Sequence, residues 1–203
     1  GVAVVNIGAA TTSVVVYEAG DVLFATVLPV GADHITQDLA IGLRTSLDVA
    51  EAIKLEIGCQ DSEKISKRDE LDLSRYSQTE KPRTMVSTKH VSEIINARVE
   101  ELFDLVDKEL RAVDRSASLP AGIVLTGGGA KMAGLSEIAK ARLRLPAFIG
   151  KPLLSASHIE KIDDPRYTTA LGLVYYALQG SSKAGSLMPN FSSVKLATDR
   201  MTK

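Results

Sequence analysis

The sequence predicts a mixed α/β fold, and three features of its pattern carry that prediction. Strand-like, β-branched segments crowd the first 30 residues on short links. Strands and helices alternate after residue 120. A block of helices and irregular charged chain separates the two regions. Short links favour antiparallel hairpins, whereas strand–helix alternation implies parallel strands joined by crossover helices. The three features together predict one mixed sheet of five strands, interrupted by an inserted block.

The elements follow in chain order. Val2–Ile7 is nearly all apolar, the pattern of a strand buried on both faces. Residues 12–17 are rich in β-branched residues, and the turn signal Ala19-Gly20-Asp21 leads into a third strand over 22–30. Residues 33–43 place Ile35, Leu39 and Leu43 one helical turn apart. A second helix over 46–57 opens on Thr45-x-x-Asp48, which resembles a capping box, and stops at Gly58. Residues 60–87 are polar and irregular, with short strands predicted at 71–73 and 83–86. A long helix over 88–115 carries apolar residues at helical spacing, Val91, Ile95, Val99 and Leu102 among them. The predicted order then runs strand 122–126, helix 131–143, strand 147–149 and helix 167–178. Residues 180–186 (GSSKAGS) have the composition of a flexible linker, and 187–203 are weakly patterned.

Composition narrows the function. Of 203 residues, 45% are hydrophobic and 24% charged, ordinary values for a globular protein. The net charge of -1, with no basic cluster interleaved with aromatics, argues against nucleic-acid binding. Cys59 is the single cysteine, so no internal disulfide can form, and it is expected to be an inert thiol at a helix end. His34, His90 and His158 lack metal-ligand spacing. No apolar run approaches the ~20 residues of a membrane span, and no signal peptide is expected. Gly1 leads straight into an apolar strand, so the chain is expected to be part of a longer one.

Four motifs carry chemistry. Residues 6–13 (NIGAATTS) join the first two strands. Small residues there let backbone N–H groups approach a phosphate, with Thr11 and Thr12 hydroxyls as further donors; a plain hairpin is the alternative. Residues 123–130 (IVLTGGGA) put Gly127, Gly128 and Gly129 between a strand and a helix start. Such a turn suits a ligand lying flat on the backbone, or else a flexible corner. Glu51 and Lys54 share a helix face, where they could grip ribose hydroxyls and an adenine edge, or form a surface ion pair. Residues 164–173 (DPRYTTALGL) start a helix with small packing residues.

In this order the four motifs resemble those of the C-terminal half of actin-like ATPases. In detail, AGIVLTGGGAKMAGL, IGKPL, PRYTTALGL and HVSEIINARVEE resemble the bacterial cell-division family FtsA, over about residues 1–178. The resemblance implies a ribonuclease-H-like domain from residues 1–33 and 120–179. It also implies an inserted small α+β domain over 34–119 and a linker and tail over 180–203. It implies ATP with Mg2+ held by Asn6, Gly8, Ala9, Ala10, Thr11, Thr12, Glu51, Lys54, Gly127, Gly128, Gly129 and Met132. It further implies binding of the FtsZ tail, for which Asn96 and Arg98 are the expected anchors, and self-association into filaments. Attachment to the cytoplasmic face of the membrane at the division site follows from the same family. The tail suits an amphipathic anchor poorly, because Pro189 intrudes among Phe191, Val194 and Met201.

Three departures bear on catalysis. Asn6 stands where the family's Asp is usual, Ala9-Ala10 replaces Gly-Gly, and Ser13 replaces a second Asp. An amide cannot take up a proton or bind a cation as a charge. Nucleotide binding with slow or absent hydrolysis is therefore expected. A PilM-like pilus scaffold or, less favoured, a small-molecule kinase of the same superfamily are the alternatives.

Overall fold

The computed structural model describes residues 1–66, 68–76, 84–152 and 163–183, with side chains as far as residue 178. The chain begins with three strands, β1 (Val2–Ile7), β2 (Thr12–Glu18) and β3 (Asp21–Leu28). Helices α1 (Ala32–Leu43) and α2 (Leu47–Ile57) follow. A two-stranded antiparallel ladder of β4 (Glu70–Asp72) and β5 (Met85–Ser87) precedes the long helix α3 (Thr88–Ala112). Strand β6 (Ile123–Thr126), helix α4 (Leu135–Leu143), strand β7 (Ala147–Ile149) and helix α5 (Thr168–Lys183) complete the order.

The five longer-range strands form one mixed sheet in the order β3-β2-β1-β6-β7. β1 to β3 are an antiparallel meander, while β1, β6 and β7 run parallel. This is the sheet that the short links and the later alternation predict. Alternation within β1 differs from expectation: Ala3, Val5 and Ile7 are buried, but Val2, Val4 and Asn6 are only half-buried. The buried face joins Val99, Phe103 and Val106 of α3 in the core, together with Ile123 and Leu125 of β6. The other face carries exposed Leu23, Val27 and Phe148.

Helix ends account for the remaining boundary differences. The cap of α2 is Ser46, whose Oγ accepts from the Val49 N–H, rather than Thr45; left-handed Arg44 and the Thr45 N–H to Ala40 O bond close α1 instead. α3 stops at Ala112. Buried Asp107 accepts from Arg111 Nε and Ser116 Oγ there, and Arg115 turns back to pair with Glu18 at the end of β2. The helix predicted from residue 131 is split. A 3-10 turn, Gly129–Lys131, comes first, and Gly134 at φ +76° sets the direction of α4.

Gly1–Thr168 and Thr169–Lys203 are two compact units. In the second, α5 continues to Lys183, so Gly180 to Lys183 are helical where a linker is predicted. Its Leu173, Val174, Tyr175, Tyr176 and Leu178 are exposed. The rest of the predicted linker, the proposed anchor of the tail and His158 lie outside the described residues. No helix among the described residues is long and apolar enough to cross a membrane.

Candidate functional site

Because β1 and β6 are parallel neighbours, their carboxyl ends open on the same edge of the sheet. Asn6 lies opposite Thr126, the last residue of β6. The turn after β1 is closed by Gly8 N–H to Thr11 O at 2.9 Å and leaves Ala9, Ala10 and Thr11 exposed. Its carbonyls are engaged from the other side: Gly8 O accepts from Ala32 N–H and Ala9 O from Asp33 N–H, both at 2.9 Å. The turn therefore satisfies orphan donors of the first turn of α1. A Cβ on Gly31 would come within 2.3 Å of Ala9 O, so only glycine permits this approach.

Thr12 is the first correction. It lies in β2, fully buried, and its hydroxyl donates to Val30 O at 2.7 Å. A hydroxyl occupied in the interior is not a donor for a ligand, which leaves Thr11 as the exposed hydroxyl of the pair.

The turn after β6 is locked against the end of β1. Gly127 has φ +87°, and a Cβ there would meet Asn6 Oδ1 at 2.3 Å and Ile7 O at 2.4 Å. A Cβ on Gly129 would meet Ile7 Cγ2 at 2.5 Å. Gly128, between them, has no backbone neighbour in the way. Met132 follows, half-buried against the core. The segment before α5 braces this turn: Gly127 N–H donates to Pro165 O, and the hydroxyls of Thr126 and Thr168 are 2.7 Å apart. Asp164 accepts from Lys131 Nζ at 2.6 Å and from Arg166 N–H at 2.9 Å. The Lys131 bond foremost holds its carboxyl well below the usual carboxylate range. A depression of about 570 Å³ beside the turn is lined by Lys131, Met132, Ile149 and Lys151 among others, within the size range of small-ligand sites.

α2 is bonded to the start of α1 through Lys54 and to the segment after the second turn through Cys59. At its far end, Cys59 N–H donates to Ala133 O at 2.7 Å, and Cβ atoms on Gly58 or Gly134 would strike Ala133 O or Cys59 O. Burial, with the Glu137 charge nearby, pushes the Cys59 thiol up to about 12, which matches the inert thiol expected. Along its length, α2 carries Glu51 and Lys54. Lys54 is 4% exposed, and all three of its donors have acceptors inside the protein: Ala32 O at 3.2 Å, Thr36 Oγ1 at 2.9 Å and Glu51 Oε2 at 2.5 Å. This corrects the picture of a pair clamping a ligand together. A buried ammonium needs all its donors matched, and this one has no donor left. Glu51 keeps capacity, with its side chain 42% exposed. Burial would raise its carboxyl, but hydrogen bonds from Lys54 and Thr36 outweigh that and hold it below the usual glutamate range.

Asn96 and Arg98 lie apart from this edge and are engaged internally. Arg98 makes a two-point ion pair with Asp38 of α1, at 2.5 and 2.9 Å, and a third bond to Glu101. Asn96 Nδ2 donates to Gln60 O at 2.6 Å, while its Oδ1 is buried without a partner. In this structure Arg98 braces α1 against α3. Sequence reasoning missed Thr36 and Asp164. Thr36 sits one turn after Ala32 on the inner side of α1, and nothing in local spacing links it to α2. Among the described residues, no group of acidic, His or Cys side chains could hold a metal ion.

Solved structures share this architecture. MreB5 of Spiroplasma citri bound to ADP superposes with a TM-score of 0.66 at 18% identity, covering 91% of this chain and 56% of that one. The MamK double helical filament gives 0.61 at 19%, covering 87% and 54%. The fold is thus that of the actin-like ATPases. The model of the family "Cell division protein FtsA" matches residues 3–172. FtsA of Pseudomonas aeruginosa is 33% identical over 95% of this chain and 46% of its own length. FtsA of Neisseria meningitidis serogroup B is 37% identical over 87% and 42%. The chain belongs to the FtsA family. It spans less than half the length of these relatives.

Proposed function

We propose that this chain is the nucleotide-binding second half of an actin-like cell-division scaffold. The observation that carries the proposal is that the two turns open on one sheet edge, the second packed on the end of β1, with α2 bonded to Ala32 of α1 and to Ala133 beyond the second turn. In this reading, ATP phosphates meet the exposed backbone of residues 8–11, and the sugar and base lie along Gly127, Gly128 and Gly129 towards Met132. Glu51 contacts the sugar, and residues 34–119 act as the second lobe of the cleft. The fit is supported by the turns themselves: one is open and small, and the other is bare of side chains. A fold neighbour, MreB5 of Spiroplasma citri, is bound to ADP.

Mg2+ would enter on the phosphates, since Asn6 supplies a neutral amide where a carboxylate would ligate directly. Binding with slow hydrolysis follows, and a closed, nucleotide-bound shape would favour self-association into filaments. Family membership extends the proposal to the FtsZ tail, received on the insert, and to attachment at the cytoplasmic face of the membrane at the division site. Titration of the full-length protein with a fluorescent ATP analogue, with and without Mg2+, tests the core of it. Saturable binding with turnover far below ordinary ATPase rates is expected; no binding at millimolar nucleotide would refute the reading. Immobilised FtsZ tail peptide tests the partner in the same preparation.

A further inference from the structure

We propose that Thr36 is a positioning residue that holds Glu51 by a single carboxylate oxygen, so that the other oxygen is presented to a sugar hydroxyl. The inference rests on the nucleotide reading above and adds a residue and a selectivity to it.

Thr36 Oγ1 is 2.5 Å from Glu51 Oε2 and 2.9 Å from Lys54 Nζ. Lys54 Nζ is itself 2.5 Å from the same Oε2. The ammonium can only donate, so the Thr36 hydroxyl accepts from Lys54 and directs its one proton to Glu51. Both partners converge on Oε2. Among the described residues, Oε1 has no hydrogen-bond partner, and the Glu51 side chain is 42% exposed. Thr36 is 6% exposed and Lys54 4%. The carboxylate thus has a fixed, buried side and a free, outward one.

Lys54 is fixed in turn by Ala32 O, in the first turn of α1. That turn is the one capped by Gly8 O and Ala9 O. The free oxygen of Glu51 is therefore referenced to the turn proposed to hold the phosphates, through three hydrogen-bonded steps by way of Lys54 and Ala32. Held this way, it accepts one hydroxyl and cannot donate. Its chemistry distinguishes a ribose from a sugar lacking that hydroxyl. Without Thr36, the carboxylate loses a partner and can swing towards water, and the distinction is lost while the phosphate contacts stay.

The experiment measures equilibrium affinity of the full-length protein for ATP, 2′-deoxy-ATP and 3′-deoxy-ATP. Wild type is expected to prefer ATP over one deoxy form by about tenfold, the scale of a hydrogen bond to a charged group. Thr36→Val should bind ATP as weakly as that deoxy form, with the deoxy affinity unchanged, and Thr36→Ser should restore the preference. The inference is overturned if Thr36→Val keeps the wild-type preference, weakens all three equally, or if Thr36→Ser, which retains the hydroxyl, loses it. Wild type that binds ATP without preference sinks this inference alone. Wild type that binds none of the three sinks the nucleotide reading as well.

Discussion

The two turns at the site edge are built on opposite terms. The turn after β1 keeps its side chains in solvent and is anchored through the carbonyls of Gly8 and Ala9. The turn after β6 has no room for a side chain at Gly127 or Gly129, because the end of β1 lies against it. The first can change its chemistry without changing the fold. The second cannot change without moving a strand. A site of this kind separates binding from architecture, and substitutions should fall cleanly on one side or the other.

The largest effect is expected at Gly127. Alanine there combines a left-handed backbone with contact at 2.3 Å on Asn6 Oδ1, so Gly127→Ala should cost more than about 2 kcal/mol in chemical unfolding. Gly20→Ala is the control. Its φ is +94°, but nothing lies within 4 Å of a Cβ, and its cost should stay near ~1 kcal/mol. Equal losses at the two positions would mean that the contact of this turn with the end of β1 contributes nothing.

On the other turn, Ala10→Glu should lower ATP-analogue affinity by about tenfold or more through like-charge repulsion, with little change in Tm. A falling Tm with intact affinity would reverse the assignment of the two turns.

Smaller in size is Arg98→Ala. It removes a partly buried two-point ion pair between α1 and α3, and about 1–2 kcal/mol of stability should go with it. Loss of tail-peptide binding at unchanged stability would instead restore Arg98 as a contact. The smallest expectation concerns Cys59. A thiol pushed to about 12 and buried at the β6-side junction should resist disulfide reagents at pH 8 and react fully once unfolded. Rapid native labelling would show that α2 detaches from Ala133.

Much of the fold was legible because its signals are local. β-branched runs, the 3.6-residue periodicity of α3 and the Gly127 to Gly129 corner each occupy a few consecutive residues. The boundary errors have local causes too, at positions where two signals competed. Ser46 outbid Thr45 as a cap, and Gly134 split a helix that apolar spacing alone would have begun at residue 131. The site was harder to read. Thr12 and Thr11 are adjacent and chemically identical, yet one is buried on Val30 O and the other exposed. Which of the two faces inward depends on the pleat of β2 and on what covers it.

The sequence alone determined the element order, the small-residue turns and the absence of a carboxylate at position 6, because these are properties of neighbouring residues. Tertiary structure decided which donors remain available. Lys54 and Arg98 have the same formal charge and similar helical settings, but one is enclosed by Ala32 and Thr36 and the other by Asp38, 60 residues away in sequence. Whether a polar group faces a ligand or a neighbour is settled by partners brought from elsewhere in the chain, and no local pattern encodes them.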